Sequence, residues 1–200
     1  MAGNGNSDGV AGILLTGGAS RRMGESKTTL LIEGCRLADL IGSKVAVVAS
    51  PVIEVGPGDS GLRAVREEPP GQGPLVAIVA GWAELKRVGH RGPVLVVAGD
   101  LPLVTVEVLR LVADWPYSGS VVPRVGGRRQ PLCARWSVTD LGRAVAAAAS
   151  GERSLRSCFG EGTLFLEEDA WGHLTGGSAF ADVDTTEDLA RLGISPTGNA

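Results

Sequence analysis

The chain has 200 residues, of which 44% are hydrophobic and 20% charged, enough apolar material for one compact domain, or at most two small ones, with a substantial core. A net charge of -3 supplies no general attraction for nucleic acid or a membrane surface, so any anion site must be local. No stretch approaches the length of a membrane span, "MAGNGNSDGV" lacks the positive region of a secretory signal, and Cys35, Cys133 and Cys158 are too far apart for a zinc or redox motif; the chain reads as cytoplasmic.

The first expected strand is Val10 to Thr16, and it ends on the glycine pair Gly17 and Gly18. Further strands are expected at "VAVVA" from Val45, "LRAV" from Leu62, "PVLVVAG" from Pro93 and "SVVP" from Ser120. Several are nearly continuous apolar runs, which suits strands covered on both faces. Helical patterns alternate with them: one opens at Pro74, one behind a Thr105 cap and one behind a Ser137 cap. Strands alternating with helices predict an α/β sandwich around a mostly parallel sheet. Residues 9–193 are expected to form this single domain, with a disordered tail at residues 1–8 and a flexible one at residues 194–200.

One crossover is short. Within "EGCRLADLIGSKVAVV" only Leu37 to Ser43 reads as helix, about 10 Å of rise, too little to cover a full strand. Either the residues after Lys27 join that helix, or the sheet loses cover there and exposes an apolar face that recruits another subunit.

The segment "LLTGGASRRMGESK", Leu14 to Lys27, puts glycines, Arg21, Arg22 and Lys27 directly after the first strand. Glycines there let backbone N–H groups approach a ligand, and open α/β sheets bind ligands at the carboxyl ends of their strands, so phosphate is the natural guest. The Walker spacing fails, because five residues separate Gly18 from Gly24 and Lys27 comes three later; G-x-G-x-x-G fails as well. A second group is "VLVVAGDLP", whose Asp100 stands at a strand's carboxyl end, where a carboxylate can hold a hard cation such as Mg2+ or cap the helix that begins near Thr105. In "AFADVDTTEDLARL" an apolar strand is expected to lead through Asp182 and Asp184, on one face, to a helix capped by Thr185 or Thr186.

The pattern L-x-G-G-x-S-x-R-M-G-x-x-K from Leu15 to Lys27 closely resembles the signature loop of the molybdenum cofactor guanylyltransferases, small-molecule nucleotidyltransferases of the glycosyltransferase-A-like type. The resemblance spans roughly Ala11 to Leu192 and implies a three-layer α/β/α sandwich, Rossmann-like, with a mostly parallel, mixed sheet, the nucleotide-diphospho-sugar transferase fold. It implies that Leu15, Thr16, Gly17 and Gly18 hold the triphosphate, that Arg22 and Lys27 neutralise the departing pyrophosphate, and that Asp100 binds Mg2+. Glu67 or Glu68 would help hold the nucleotide, and Gly73 and Pro74 would begin a helix beneath the base. Arg128, Arg129 and Gln130 would meet the acceptor, Arg153, Ser154 and Arg156 would stand at a helix start facing an anion, and one of Asp182 and Asp184 would complete the magnesium site or hold the pterin. Ser26 departs from the family, which usually carries an aspartate before the loop lysine.

The implied substrates are GTP and molybdopterin, without nucleic acid or membrane, in a monomer or weak homo-oligomer that meets other molybdenum cofactor proteins transiently. Only His90 and His173 are available as imidazole bases, which fits an acceptor phosphate already ionised near neutral pH. Nothing in the residues alone reads guanine, so a cytidylyltransferase acting on the same acceptor, or a non-catalytic nucleotide-binding module, are the competing readings.

Overall fold

The computed structural model describes residues 9–17, 30–32, 34–175, 178–183 and 186–194. The segment that carries Gly18, Arg22, Ser26 and Lys27 lies outside the described residues, as do Asp184, Thr185 and the tails at 1–8 and 195–200.

Ten strands and six α-helices follow one another along the described chain: β1 (Ala11–Leu15), β2 (Leu31–Ile32), β3 (Cys35–Arg36), α1 (Leu37–Val48), β4 (Val52–Val55), β5 (Arg63–Val65), α2 (Pro74–Arg87), β6 (Val94–Ala98), α3 (Val106–Asp114), β7 (Ser120–Val125), β8 (Arg128–Arg129), β9 (Cys133–Trp136), α4 (Val138–Ala149), β10 (Thr163–Leu166), α5 (Glu168–Thr175) and α6 (Thr186–Arg191). The main sheet runs β10-β7-β9-β6-β1-β4-β5, with β8 hairpinned onto β7. Strand β1 is parallel to β4 and β6, and β4 is parallel to β5. Only β9 reverses direction within that order; because it is antiparallel to both β6 and β7, those two point the same way, and β10 is parallel to β7. Strands β1, β4, β6, β7 and β10 therefore all end on one edge.

Both faces of the sheet are covered. Along β1, Ala11, Ile13 and Leu15 face a core that includes Leu75, Ile78, Trp82 and Leu85 of α2 and Leu141 of α4, whereas Leu14 faces Leu37, Ile41 and Val45 of α1, Val108, Leu109 and Val112 of α3 and Trp171 of α5. This two-sided burial explains the continuous apolar runs of β1 and β6, whose residues are all buried. Thr105 accepts a hydrogen bond from the Val108 amide and Ser137 one from the Asp140 amide, so both expected caps form. No helix of the described residues is long and apolar enough to cross a membrane.

Four sequence expectations need correction. The run from Val45 is the end of a helix, not a strand: α1 has 12 residues and buries Leu37, Ala38, Ile41, Gly42 and Val45, a spacing of three to four, while Val47 is 59% exposed. The crossover is consequently not short, since 12 residues rise about 18 Å; the proposed loss of sheet cover, with its apolar subunit contact, does not arise. The second parallel strand is instead β4, whose Glu54 interrupts the apolar pattern by which strands were sought. Ala179 to Val183 forms no strand and touches the sheet's edge by the Val183 amide, which donates to the Asp100 carbonyl at 3.0 Å. Arg153 and Ser154 begin no helix; only a three-residue 3-10 turn, Arg156–Cys158, follows them.

Candidate active site

The carboxyl edge of the sheet gathers the ends of β1, β4 and β6 side by side. At the end of β1 the amides of Thr16 and Gly17 both donate to the Val55 carbonyl, at 3.1 and 3.2 Å, and the Leu15 carbonyl accepts from the Gly99 amide at 2.8 Å. These neighbouring groups are hydrogen-bonded within the sheet's edge, so the amides of Thr16 and Gly17 do not point freely at a triphosphate. They fix instead the place and direction from which the following glycine-rich segment departs.

Gly56 makes this junction possible by having no side chain. A Cβ there would lie 2.0 Å from the Thr16 hydroxyl oxygen and 2.7 Å from the Gly17 nitrogen, inside both atoms. Beneath it stands Glu54, fully buried in β4. Its Oε1 accepts from the Thr16 hydroxyl at 2.5 Å and from the Gly58 and Asp59 amides at 2.8 Å each; its Oε2 accepts from the Ser60 amide at 2.9 Å and from the Ser60 hydroxyl. Burial pushes the Glu54 pKa up, but hydrogen bonds from the Ser60 and Thr16 hydroxyls and from the Ser60 and Asp59 amides outweigh it, and the net shift is downward. The group is a carboxylate at neutral pH.

Asp100 follows β6 in the turn Gly99–Asp100 and is half-buried. It does not cap α3, because Thr105 does. Its backbone carbonyl receives the Val183 amide, which places the exposed Asp182 in the neighbouring segment. The loop that carries Asp100 is braced from α1: the Lys44 ammonium donates to the carbonyls of Pro102 at 3.2 Å and Val104 at 2.8 Å, and burial lowers its pKa. No group of three or more potential metal-binding side chains occurs among the described residues. Two carboxylates on adjoining segments are nevertheless hard oxygen donors of the kind Mg2+ takes when phosphate and water complete its shell; the residues present fit that ion.

Glu67 is buried, and its carboxylate closes the turn before α2 by accepting the Gly71 amide at 2.9 Å; Glu68 beside it is exposed. Gly73 and Pro74 stand at the N-cap and first turn of α2, where they were expected. Farther along the edge, Gly126 and Gly127, with φ of 52° and 74°, turn β7 into β8 and carry Arg128 and Arg129 outward. Gln130 is tied back through its amide to the Pro123 carbonyl at 2.8 Å. The guanidinium groups of Arg124 and Arg129 each lie 4.4 Å from the Phe165 ring centre, and Arg124 pairs with Glu167 at 2.7 Å. Arg128 and Arg129 form no ion pair among the described residues. Arg153 reaches Gln72 at 3.3 Å, so the segment after α4 borders the start of α2.

The structure thus brings together Leu15, Thr16, Gly17, Asp100 and Asp182, with the Arg128 hairpin on the same edge, and gives Glu67 a turn-closing bond. Sequence reasoning missed Glu54, Gly56 and Lys44. The available signal was the single carboxylate inside the apolar strand "VIEV", followed by "GPGDSG": a buried acid needs donors, and a loop of small residues supplies amides.

Residues 12–164 match the MobA-like NTP transferase domain. The chain is 30% identical over 159 residues, covering 74% of each chain, to a probable molybdenum cofactor guanylyltransferase of Chloroflexus aggregans. It is also 30% identical over 199 residues, 91% of this chain and 94% of the relative, to the molybdenum cofactor guanylyltransferase of Rhodobacter capsulatus. Its fold is similar to that of molybdopterin-guanine dinucleotide biosynthesis protein A from Archaeoglobus fulgidus, with a TM-score of 0.71 at 19% identity over 91% of this chain and 96% of the other. The chain belongs to the MobA-like NTP transferase family and is a nucleotidyltransferase.

Proposed function

We propose that the protein transfers GMP from GTP to the phosphate of molybdopterin, with or without bound molybdenum, releasing pyrophosphate and forming the guanine dinucleotide cofactor in the cytoplasm. The observation that carries this reading is the meeting, at one sheet edge, of the β1 end that launches the glycine-rich segment with the Asp100 turn and the Asp182 segment. The names of the relatives in Chloroflexus aggregans and Rhodobacter capsulatus support the guanylyl donor and the acceptor.

An oxygen of the acceptor phosphate attacks the α-phosphorus of GTP, the bond to the β-phosphate bridging oxygen breaks, and pyrophosphate leaves. The attacking phosphate monoester is largely ionised near neutral pH, so no side chain has to remove a proton. Catalysis reduces to alignment and charge stabilisation. Asp100 and Asp182 would hold Mg2+, which supplies charge neutralisation to the phosphates when bound. Leu15, Thr16 and Gly17 would aim the chain that, from Gly18 onward, seats the triphosphate, Glu67 steadies the turn beside the nucleotide, and Arg22 and Lys27 stabilise the leaving pyrophosphate. The acceptor lies toward Arg128 and Gln130, with Asp182 and Asp184 at its other side. Ser26 leaves Lys27 without an adjoining acid.

Pyrophosphate release by the purified protein, measured with each NTP in the presence of molybdopterin, tests the reading. Release with GTP supports it; release with CTP alone would make the enzyme a cytidylyltransferase, and nucleotide binding without release would make it a non-catalytic module.

A further inference from the structure

Glu54 occupies a position that no catalytic step uses, yet it joins the two loops that flank the β1 and β4 ends. One carboxylate oxygen binds Thr16, the last residue before the glycine-rich segment, while both oxygens bind the loop from Gly58 to Ser60. The rest of that loop is equally held. Arg66 donates to the carbonyls of Gly56 at 3.2 Å and Pro57 at 2.7 Å, and the Gly61 amide donates to Asp39 of α1 at 2.9 Å. A loop whose amides and carbonyls are bound in this way forms a fixed wall, and Gly17 packs against it with only 3.4 Å between a built Cβ and the Gly56 Cα.

We propose that Glu54 is a positioning residue for the nucleotide: through the Thr16 hydroxyl it locks the chain at the end of β1, Thr16 and Gly17, to the Gly56–Gly61 wall before NTP arrives. The inference rests on the reading that NTP is held at this edge. Its physical basis is pre-organisation, because groups already held in place lose less conformational freedom on binding. The lock requires an acceptor on both oxygens. Glutamine offers an acceptor on one side and an NH2 group on the other, so either amide orientation sets N–H against N–H. A buried donor left unsatisfied in this way is a large perturbation.

The test measures equilibrium GTP binding and steady-state KM and kcat for wild type, Glu54→Gln, Thr16→Val and Thr16→Ser. Glu54→Gln is expected to weaken GTP binding roughly tenfold, raising KM more than it lowers kcat. Thr16→Val, which keeps the shape but loses the hydroxyl, is expected to weaken binding several-fold, while Thr16→Ser, which keeps the hydroxyl but loses the methyl, stays near wild type. A role in packing alone predicts the opposite order of those two variants and would overturn the proposal. So would wild-type GTP affinity in a folded Glu54→Gln protein. Should Glu54→Gln not fold, the Thr16 pair decides the matter by itself. A wild-type chain that binds no GTP would overturn the reading of the site together with the inference, whereas GTP binding without transfer to molybdopterin would overturn the proposed transfer and leave the inference to the binding measurements.

Discussion

The two edges of the sheet use the same residue types for opposite ends. At the amino edge Asp140 is buried and its charge is answered within the fold: Oδ1 pairs with Arg143 at 2.6 Å, and Oδ2 accepts from Ser120 at 2.6 Å and Thr163 at 3.2 Å. Arg135, also buried, binds the carbonyls of Ala113 at 2.8 Å, Trp115 at 2.9 Å, Gly119 at 3.2 Å and Tyr117, pinning the chain between α3 and β7. At the carboxyl edge Asp100 is half-buried, Asp182 is exposed, and Arg128 stands on an exposed hairpin. A small cavity of about 220 Å³ does open beside Asp140, between Tyr117 and Gly162, but it is walled by groups that already bind one another. Buried charges bound by the fold's own side chains and carbonyls hold the amino edge, whereas the carboxyl edge leaves Asp100, Asp182 and Arg128 within reach of solvent.

This contrast can be broken at several points, beginning with the largest effect. Asp100→Ala is expected to lower turnover by roughly two orders of magnitude or more, with Tm close to wild type; wild-type turnover would remove Asp100 from the site. Asp140→Ala should do the reverse. It leaves buried hydroxyl donors without their acceptor and costs about 2 kcal/mol, the half-exposed Arg143 adding little, so Tm falls by roughly 4–8 °C while the folded enzyme keeps its KM values. A large loss of kcat with intact Tm would assign the amino edge a part in catalysis.

Arg128→Ala is expected to raise the KM for molybdopterin by several-fold and to leave the KM for GTP unchanged, as steady-state kinetics with each substrate varied would reveal. Equal effects on both would place the hairpin elsewhere relative to the acceptor. The smallest effect concerns acid. The folded pKa of Glu54 is depressed, so its contribution to stability is complete above the unfolded value near 4.3 and is lost as pH falls through the folded value. The Tm gap between wild type and Glu54→Gln should therefore be constant from about pH 6 to 8 and narrow below about pH 4. A gap that widened in acid would contradict the assignment of Glu54 as a carboxylate in the folded protein.

The fold and its site were legible in the sequence to different depths. Strands β1 and β6 and helices α2, α3 and α4 follow from apolar runs, Pro74, Thr105 and Ser137, because local sequence decides each of them. Helix α1 was misread because Val45 to Ala49 is apolar enough to pass for a buried strand, and only the burial of every third or fourth residue separates the two. Glu54 was invisible for a different reason. Its meaning depends on Thr16, 38 residues earlier, and on the amides of Gly58, Asp59 and Ser60, none of which signals a buried carboxylate until the strands pair. Asp100 could be read as a ligand or as a cap from sequence, and the Thr105 side chain on the Val108 amide removes the second role.

The central claim, guanylyl transfer at the carboxyl edge, is tested most directly by following the fate of labelled GTP with molybdopterin and Mg2+. Label from the α-phosphate is predicted to appear in a dinucleotide product and label from the γ-phosphate in pyrophosphate, with both lost in Asp100→Ala. An α-label that never enters the molybdopterin product, or a γ-label released as orthophosphate, would contradict the account.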